Sequence, residues 1–510
     1  MSWVRDRALW LACGLVVVHA VVFAALSVAR FRAFSAGRFD LGNMVQAVWS
    51  VANGGLFSTT EVSGAQFSRL GAHVDPILAL FAPAWWVWPS PELLLVTQAV
   101  VVSLGALPAF WLARAHLRDD RLAVAAAAVY LLYPALQHAV LFDFHPVTLA
   151  APLLMTCIWA ADAGRWWWLG VAAALALITQ EQVGLMLVGL AVWMWFARPA
   201  YRRAAVLLAG ASALWVVIAV RVIIPAHALQ GESPFLARYE GVGDGPAGIM
   251  LNLVTDPVDT VQLLATGDRL VYLVTLLAPL LFMPLLSALT AAALPQFAIN
   301  LLAGAGLEDG TGAANPIRTI EYHYAVVLVP FLIAAAILGL ARLREGGAGR
   351  LGRWLRPVTA RGGLLAGVVV GAVVLAGVRG GPLPVWSWVP GGWQGSSLHT
   401  FTRDDSARAL AEAVALVPPR VPVSATNDAG SHLSARRRIM LFPVLSGAEW
   451  VVVSDTARTR AVARDRPTLR PVTFTPVLRW LRQSPRWERV YDRAGVSVFR
   501  RVVPPGASAS

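Results

Sequence analysis

The sequence predicts a polytopic α-helical membrane protein that ends in a small α/β unit outside the membrane. Three observations carry that prediction. The 510 residues are 57% hydrophobic and only 14% charged, and a soluble chain of this size could not bury so much apolar surface. Apolar runs long enough to span a bilayer recur as far as residue 379. Beyond residue 402 the pattern changes to short runs of strand type alternating with helical ones.

Spans are expected at 9–30, 92–113, 122–141, 146–163, 166–180, 183–197, 204–224, 269–287, 289–304, 324–342 and 363–379, about eleven helices in all. The first run is about 22 residues long with no small-residue cleavage site after it, so it is expected to be a retained anchor, not a signal peptide. Cys13 and Cys157 both lie in apolar runs, which excludes a disulfide framework or a thiolate metal cluster. The net charge of +13 comes entirely from arginine and is read as a topology signal, with no nucleic acid as partner.

Orientation follows from where those arginines lie. Short loops hold Arg114, Arg118 and Arg121, then Arg198, Arg202 and Arg203, then Arg342, Arg344, Arg350, Arg353, Arg356 and Arg361. The segment 226–268 on the opposite side is acidic, with Glu232, Glu240, Asp244, Asp256, Asp259 and Asp268 against Arg238. The positive-inside rule then puts the N-terminus in the cytoplasm and residues 381–510 outside. Tryptophans 85, 86 and 88, and 166, 167 and 168, fit interfacial belts.

The chain is expected to divide into a bundle over 1–380, a linker over 381–402 rich in Gly, Pro and Trp, and an extracytoplasmic α/β domain over 403–510. The first outer loop, 31–91, carries structure of its own. Leu41, Met44, Val45, Val48 and Trp49 recur at helical spacing and predict an amphipathic helix on the outer surface. A second helix is expected from Ile77 to Trp88, with Asp75 as N-cap and Pro76 at its first position. In the tail, helices are expected over 403–416 and from Thr475 to Gln483, Thr475 as N-cap, and strands at 421–424, 449–454, 487–491 and 496–500. The stretch Ser431–Arg437 is a polar turn or recognition loop.

Glu181 stands inside the apolar run Leu175–Leu185, where a carboxylate is costly unless it faces water, a partner or a ligand. Asp40, His73, Asp75, Asp143, His145, Glu321 and His323 fall at the ends of other apolar runs. Under the expected topology all of them emerge on one side of the membrane, which reads as a polar site at its outer surface. Asp40 fits both an N-cap for the surface helix and a general base. Three histidines with several carboxylates could hold a divalent cation, although no HxH or HExxH spacing is present. Arg221 and Arg318 suit a phosphate, because the planar guanidinium bonds two oxygens at once, or an ion pair with Glu181.

The order Phe39-Asp40-Leu41-Gly42, Gln46-Ala47-Val48-Trp49, Leu70-Gly71-Ala72-His73, Pro76-Ile77-Leu78, Gln98-Ala99, Asp143-Phe144-His145-Pro146, Glu181, His323-Tyr324 and His432-Leu433-Ser434-Ala435-Arg436 resembles the bacterial membrane family of unknown function numbered 2079. The family usually has Lys-Glu-Asp where this chain has Gln180-Glu181-Gln182. That family in turn resembles the GT-C glycosyltransferases in layout, with an acid opening a long outer loop, a many-helix bundle and an outward C-terminal domain. The resemblance implies a GT-C-like fold and a sugar donor on a polyprenyl phosphate. It puts Asp40 at the position of the catalytic acid.

The expected reaction is transfer of a sugar from a polyprenyl-phosphate donor to an envelope glycan, lipid or protein, at the outer face of the bacterial cytoplasmic membrane. Asp40 is the expected base, while Glu181, His73, His145, Asp143, Arg221, Arg318 and His323 bind substrate, with a divalent cation as a possible cofactor. The competing expectation is a transporter or flippase for a lipid-linked or polar substrate, coupled through Glu181. A third is a non-catalytic envelope scaffold, which explains the tail but not the acids.

Overall fold

The computed structural model describes residues 6–229, 264–304, 315–346, 361–393, 400–456 and 471–502, with isolated positions between them. Glu232, Arg238, Glu240, Asp244, Asp259, Arg350, Arg353 and Arg356 lie outside the described residues.

Helices occupy the segments that hydropathy marks, and most are at least as long as expected, the clear exceptions being Trp166–Leu177, Gly267–Leu277 and Val329–Arg344. Among the described residues, five are long and apolar enough to cross a membrane: Arg7–Arg32, Pro91–Leu117, Pro146–Ala163, Pro199–His227 and Gly362–Gly380. Asp120–Leu132 and Pro134–Leu141 make a sixth if counted as one span bent by 44°. The bend falls at Pro134, which has no N–H to continue the helical ladder. Trp166–Leu177, Val183–Ala197 and Ala288–Leu302 are apolar but shorter. Over 278–293 the chain breaks into short 3-10 turns around Pro279 and Pro284, with Leu281 and Phe282 in the left-handed region.

Val329–Arg344 is the central post, with Phe331, Leu332, Ile333, Ala334 and Ala335 all buried. Pro199–His227 and Gly362–Gly380 instead turn Leu207, Leu214, Val217, Leu364 and Leu375 outward, the apolar exterior that a bilayer would solvate. Arg114 pairs with Asp6 and Asp120, and Arg344 donates to the Leu117 carbonyl at 2.6 Å, gathering these positive loops at one end. At the other end Arg32 pairs with Glu92 at 2.7 Å.

The long first loop, 31–91, folds as a π-helical turn over Arg38–Gly42, a helix Asn43–Ala52, the hairpin β1 (Ser58–Thr60) and β2 (Gln66–Ser68), and a 3-10 turn Pro76–Phe81 running into a helix Ala82–Val87. Three expectations are corrected here. Helix Asn43–Ala52 does not lie open, because Met44, Val45, Gln46, Ala47 and Val48 are all buried and Gln46 donates to the Arg436 and Arg437 carbonyls at 3.1 and 3.0 Å. Asp75 precedes Pro76 but caps nothing, since its carboxylate is held by Arg69 at 2.7 Å. Asp40 is not a cap either: it sits within the π-turn, and Gly37 precedes that turn.

The tail forms a five-stranded sheet in the order β4-β3-β5-β7-β6, from β3 (Val423–Ala425), β4 (Ile439–Leu441), β5 (Trp450–Ser454), β6 (Trp487–Arg493) and β7 (Val496–Arg501). β3 runs parallel to β4 and β5, while β7 runs antiparallel to β5 and β6. Alternation along β5 sends Val452 to one face, with Leu410, Val423 and Val498, and Val451 and Val453 to the other, with Phe474, Leu478 and Phe499. The helix expected over 403–416 spans Asp405–Leu416 and starts at an Asp404 cap, whose side chain accepts the Ala407 N–H. The later helix spans Phe474–Gln483 after Thr473, so Thr475 is inside it and not its cap.

Phe34, from the bundle side of the first loop, is buried in the core of the tail sheet.

Candidate functional site

Four of the polar residues that end apolar runs meet in one place. The π-turn gives Asp40 its position: the Asn43 N–H reaches back to the Arg38 carbonyl, one residue beyond the α-helical partner. Such turns recur at functional sites because the extra residue re-aims a side chain. Asp40 Oδ1 lies 3.4 Å from His145 Nε2, with the two side chains 15% and 7% exposed. The His145 ring stacks on His323, centroids 3.7 Å apart and planes 18° from parallel. Phe142 lies beside this stack, 5.7 Å from His145 and 6.2 Å from His323, and meets Tyr322 edge-on at 4.7 Å.

A buried amide builds the turn that carries His145. Gln98, wholly buried, donates to the Asp143 carbonyl at 2.7 Å and accepts the His145 N–H at 3.0 Å. Asp143 takes a left-handed backbone, φ 53°, which turns the chain between the end of one helix and Pro146. Its Oδ2 accepts the Gly37 N–H at 2.8 Å, and Arg30 approaches Oδ1 at 3.6 Å. Burial pushes the Asp143 carboxyl up from its ordinary value, against the opposing pull of Arg30. Asp143 therefore acts on Asp40 through the backbone three residues earlier.

Glu181 and His73 make a second group. Glu181 lies in the short break between Trp166–Leu177 and Val183–Ala197. Its Oε1 is 2.9 Å from His73 Nδ1 and its Oε2 accepts the Val74 N–H at 2.9 Å. Burial raises its carboxyl, but His73 and that N–H outweigh burial and hold it below the usual glutamate value. Gln180 Nε2 faces the same His73 nitrogen at 2.8 Å. One nitrogen cannot both donate to Glu181 and accept from Gln180, so with Nδ1–H given to Glu181 the Gln180 amide presents its oxygen. Next to this group Asp75 is 1% exposed and paired with Arg69, and burial raises its carboxyl despite that pairing. The two groups are joined by Phe81 packed edge-on against Phe144 at 5.4 Å.

The remaining candidates stand apart. Arg318 is bonded to Asp268 at 2.5 Å and to the Ala303 carbonyl, so its ion-pair partner is Asp268 and not Glu181. Arg221 is exposed in a π-helical turn near the end of Pro199–His227. Glu321 is exposed beside Tyr322. Ser431–Arg437 is no open recognition loop: Ser431, Ser434 and Arg436 are buried, and His432 is wedged between Phe31 and Phe34 with both ring centroids 3.9 Å away.

Sequence reasoning did not assign Gln98, Arg30 or Asn427 to the site. A lone glutamine in the run 92–113 was the available signal for the first. Among the described residues, no three His, Cys, Asp or Glu side chains are grouped so as to hold a metal ion. His145 and His323 present ring faces to each other, which is stacking geometry and not shared ligation.

The group thus sets a partly exposed carboxylate within ion-contact distance of a buried imidazole, a pairing of the kind used in general acid–base chemistry.

The family described as predicted membrane protein (DUF2079) matches residues 30–498, and the chain belongs to it. No curated protein matches. Among solved structures the chain is similar to the crystal structure of ArnT from Cupriavidus metallidurans in the apo state, 13% identical over 94% of this chain and 97% of that one, with a TM-score of 0.44.

Proposed function

We propose that this member of the family is a membrane glycosyltransferase that moves a sugar from a polyprenyl-phosphate donor to an envelope acceptor, with Asp40 as general base. The observation that carries the reading is the Asp40–His145 pair, a partly exposed carboxylate 3.4 Å from a nearly buried histidine, on a loop fixed to the bundle. A polyprenyl-phosphate sugar keeps its tail in lipid and its sugar at the interface, so a site at the ends of the apolar helices suits it. The bacterial cytoplasmic membrane, with the N-terminus inside and the C-terminal α/β domain 403–510 outside, is the matching location.

In the proposed step the acceptor hydroxyl gives its proton to Asp40 as its oxygen bonds to the anomeric carbon. The bond from that carbon to the phosphate oxygen breaks, its electron pair leaving with the lipid phosphate. A single displacement of this kind inverts the anomeric centre. A positioned carboxylate contributes about 10²–10⁴-fold to such a transfer. Arg221, exposed at the outer end of its helix, is the candidate for the departing phosphate, Arg318 being already engaged by Asp268. His73 and Glu181 are assigned to donor binding.

The test is transfer by the purified protein in lipid, using radiolabelled polyprenyl-phosphate sugars and an envelope extract, with wild type beside Asp40→Asn, each with and without chelator. Label reaching an acceptor with wild type and not with Asp40→Asn supports the reading. Full activity in a folded Asp40→Asn protein removes Asp40 from the role. If no donor in a broad panel is consumed, coupled transport through Glu181 becomes the reading to pursue.

A further inference from the structure

The tail, with the linker end before it, bonds the first loop at several places, and some of those bonds fall on the residues beside Asp40. The Phe39 N–H donates to Asn427 Oδ1 at 2.9 Å. Ser431 Oγ donates to the Ala36 carbonyl at 2.9 Å, Ser35 Oγ to the Thr400 carbonyl at 2.7 Å, and Arg403 Nε to the Arg32 carbonyl at 3.0 Å. Arg38, 1% exposed, runs under the turn and donates to the carbonyls of Ile439, at 2.9 Å, and Thr60. The fit is close enough to need glycine on the tail side. A Cβ on Gly430 would come within 2.5 Å of Arg38 Cβ, an atom fixed to the backbone that cannot swing aside.

These bonds solve a specific local problem. The first N–H groups of any helical turn have no acceptor within the turn, and the residue at the cap position here, Gly37, has no side chain to supply one. Gly37 N–H goes to Asp143 on the bundle side and Phe39 N–H to Asn427 on the tail side. Asp40 is the next residue. The acid is thus held between two caps supplied in trans, one from residue 143 and one from residue 427.

We infer that the C-terminal tail is a clamp that fixes the acid-bearing turn, and that Asn427, in the helical segment after β3, is its positioning residue for Asp40. This rests on Asp40 being the base. It gives the tail a role in the reaction without any substrate contact of its own. Asn427 touches the backbone beside the acid and acts only through it.

The experiment uses full-length protein in nanodiscs and compares wild type, Asn427→Leu, which keeps the volume but removes the acceptor, and Asn427→Asp, which keeps an acceptor oxygen. Hydrogen exchange is followed in the peptide covering 36–44, and transfer kinetics are measured on the same samples. Asn427→Leu is expected to speed exchange there about fivefold, the size of a lost cap, and to lower kcat with the donor KM unchanged. Asn427→Asp should restore the slow exchange, and its added negative charge should move the acid limb of the pH profile upward. Unchanged exchange in Asn427→Leu, or a loss of activity through KM alone, overturns the clamp. If wild type transfers no sugar, the glycosyltransferase reading fails while the exchange data still decide the clamp. Should Asn427→Leu not fold, Ser431→Ala carries the same exchange test, since it removes the bond to the Ala36 carbonyl.

Discussion

Replacing His432 should release the tail from the first loop, by an amount that can be worked from its contacts. The imidazole lies between Phe31 and Phe34 with interplanar angles of 13° and 21°, and its Nε2 is 3.0 Å from the Phe31 carbonyl. Each stacked ring contact is worth about 0.5–1.5 kcal/mol, and the hydrogen bond about 0.5–1.5 kcal/mol more. His432→Ala should therefore weaken the docking by about 2–4 kcal/mol, and His432→Phe, which keeps the stacking, by about 1 kcal/mol.

The same residue makes the contact sensitive to acid. Burial pushes the His432 pKa down to about 3, with the Arg403 charge adding to it. A histidine whose folded pKa is depressed contributes its stability in full above the unfolded value, near 6.5, and loses it as pH falls towards the folded value. The docked state should lose about 1.4 kcal/mol for each pH unit below 6.5, or roughly 2 kcal/mol at pH 5. Hydrogen exchange in 31–36 and 427–434, measured from pH 7.5 to pH 5 and corrected for intrinsic rates, reads this directly. Wild type should lose protection across that window and His432→Phe should not. An equal response in both proteins would refute the assignment, because His432→Phe has nothing at that position to titrate.

Other substitutions separate stability from function. Arg69→Met leaves the Asp75 carboxylate buried without its partner and should cost about 3–5 kcal/mol in thermal unfolding, most of it recovered in Arg69→Met/Asp75→Leu; a double variant no better than the single one contradicts the pairing. Glu181→Gln should weaken the hold on His73 and Val74 by about 1.5–3 kcal/mol at pH 7. Because the Glu181 carboxyl is held below its ordinary value, that contribution exists above the unfolded glutamate pKa and fades as pH falls through the folded one. The difference between Glu181→Gln and wild type should therefore shrink on acidification, and a constant difference would deny that the Glu181 carboxylate holds His73 and Val74. Gly430→Ala drives a methyl against Arg38 and should cost about 1–3 kcal/mol by overpacking, seen as faster proteolysis of the tail at an unchanged bundle melting temperature.

Hydropathy and punctuation residues located the helices because each span is written in consecutive residues. The sequence also marked Asp40, Asp143, His145 and His323 as ends of apolar runs, and the structure gathers them in one group. The length of the span expected at 269–287 was less legible, since Pro279 and Pro284 break a segment whose composition alone reads as continuous. Partner choice was not legible at all. Asp75-Pro76 carries the local signature of a cap, and only the fold brings Arg69 near enough to claim the carboxylate. The clamp was hidden for a related reason: Phe39 and Asn427 are 388 residues apart, and a bond from a backbone N–H leaves no pattern in the residues that flank it. β4, three residues long, is too short to show a period of two.

Under the proposed function, a lipid-linked substrate would explain why an acid in this position is held by two external caps. Its tail would fix the depth of the reacting carbon within the bilayer, so a base at Asp40 would have to be held at a matching depth, and a misplacement of about 1 Å can cost two orders of magnitude in rate. A residue at the mouth of a long outer loop is poorly placed for that, because loops move more than the elements they join. Here the loop is tied on one side to the bundle, through Asp143, Gln98 and the turn that also carries His145, and on the other to the tail through Asn427. The bundle side sets Asp40 against His145, and the tail side stops the turn from unwinding. Cutting either tie should leave substrate binding intact and lower turnover, whereas cutting the Arg69–Asp75 pair should unfold the loop and lower both.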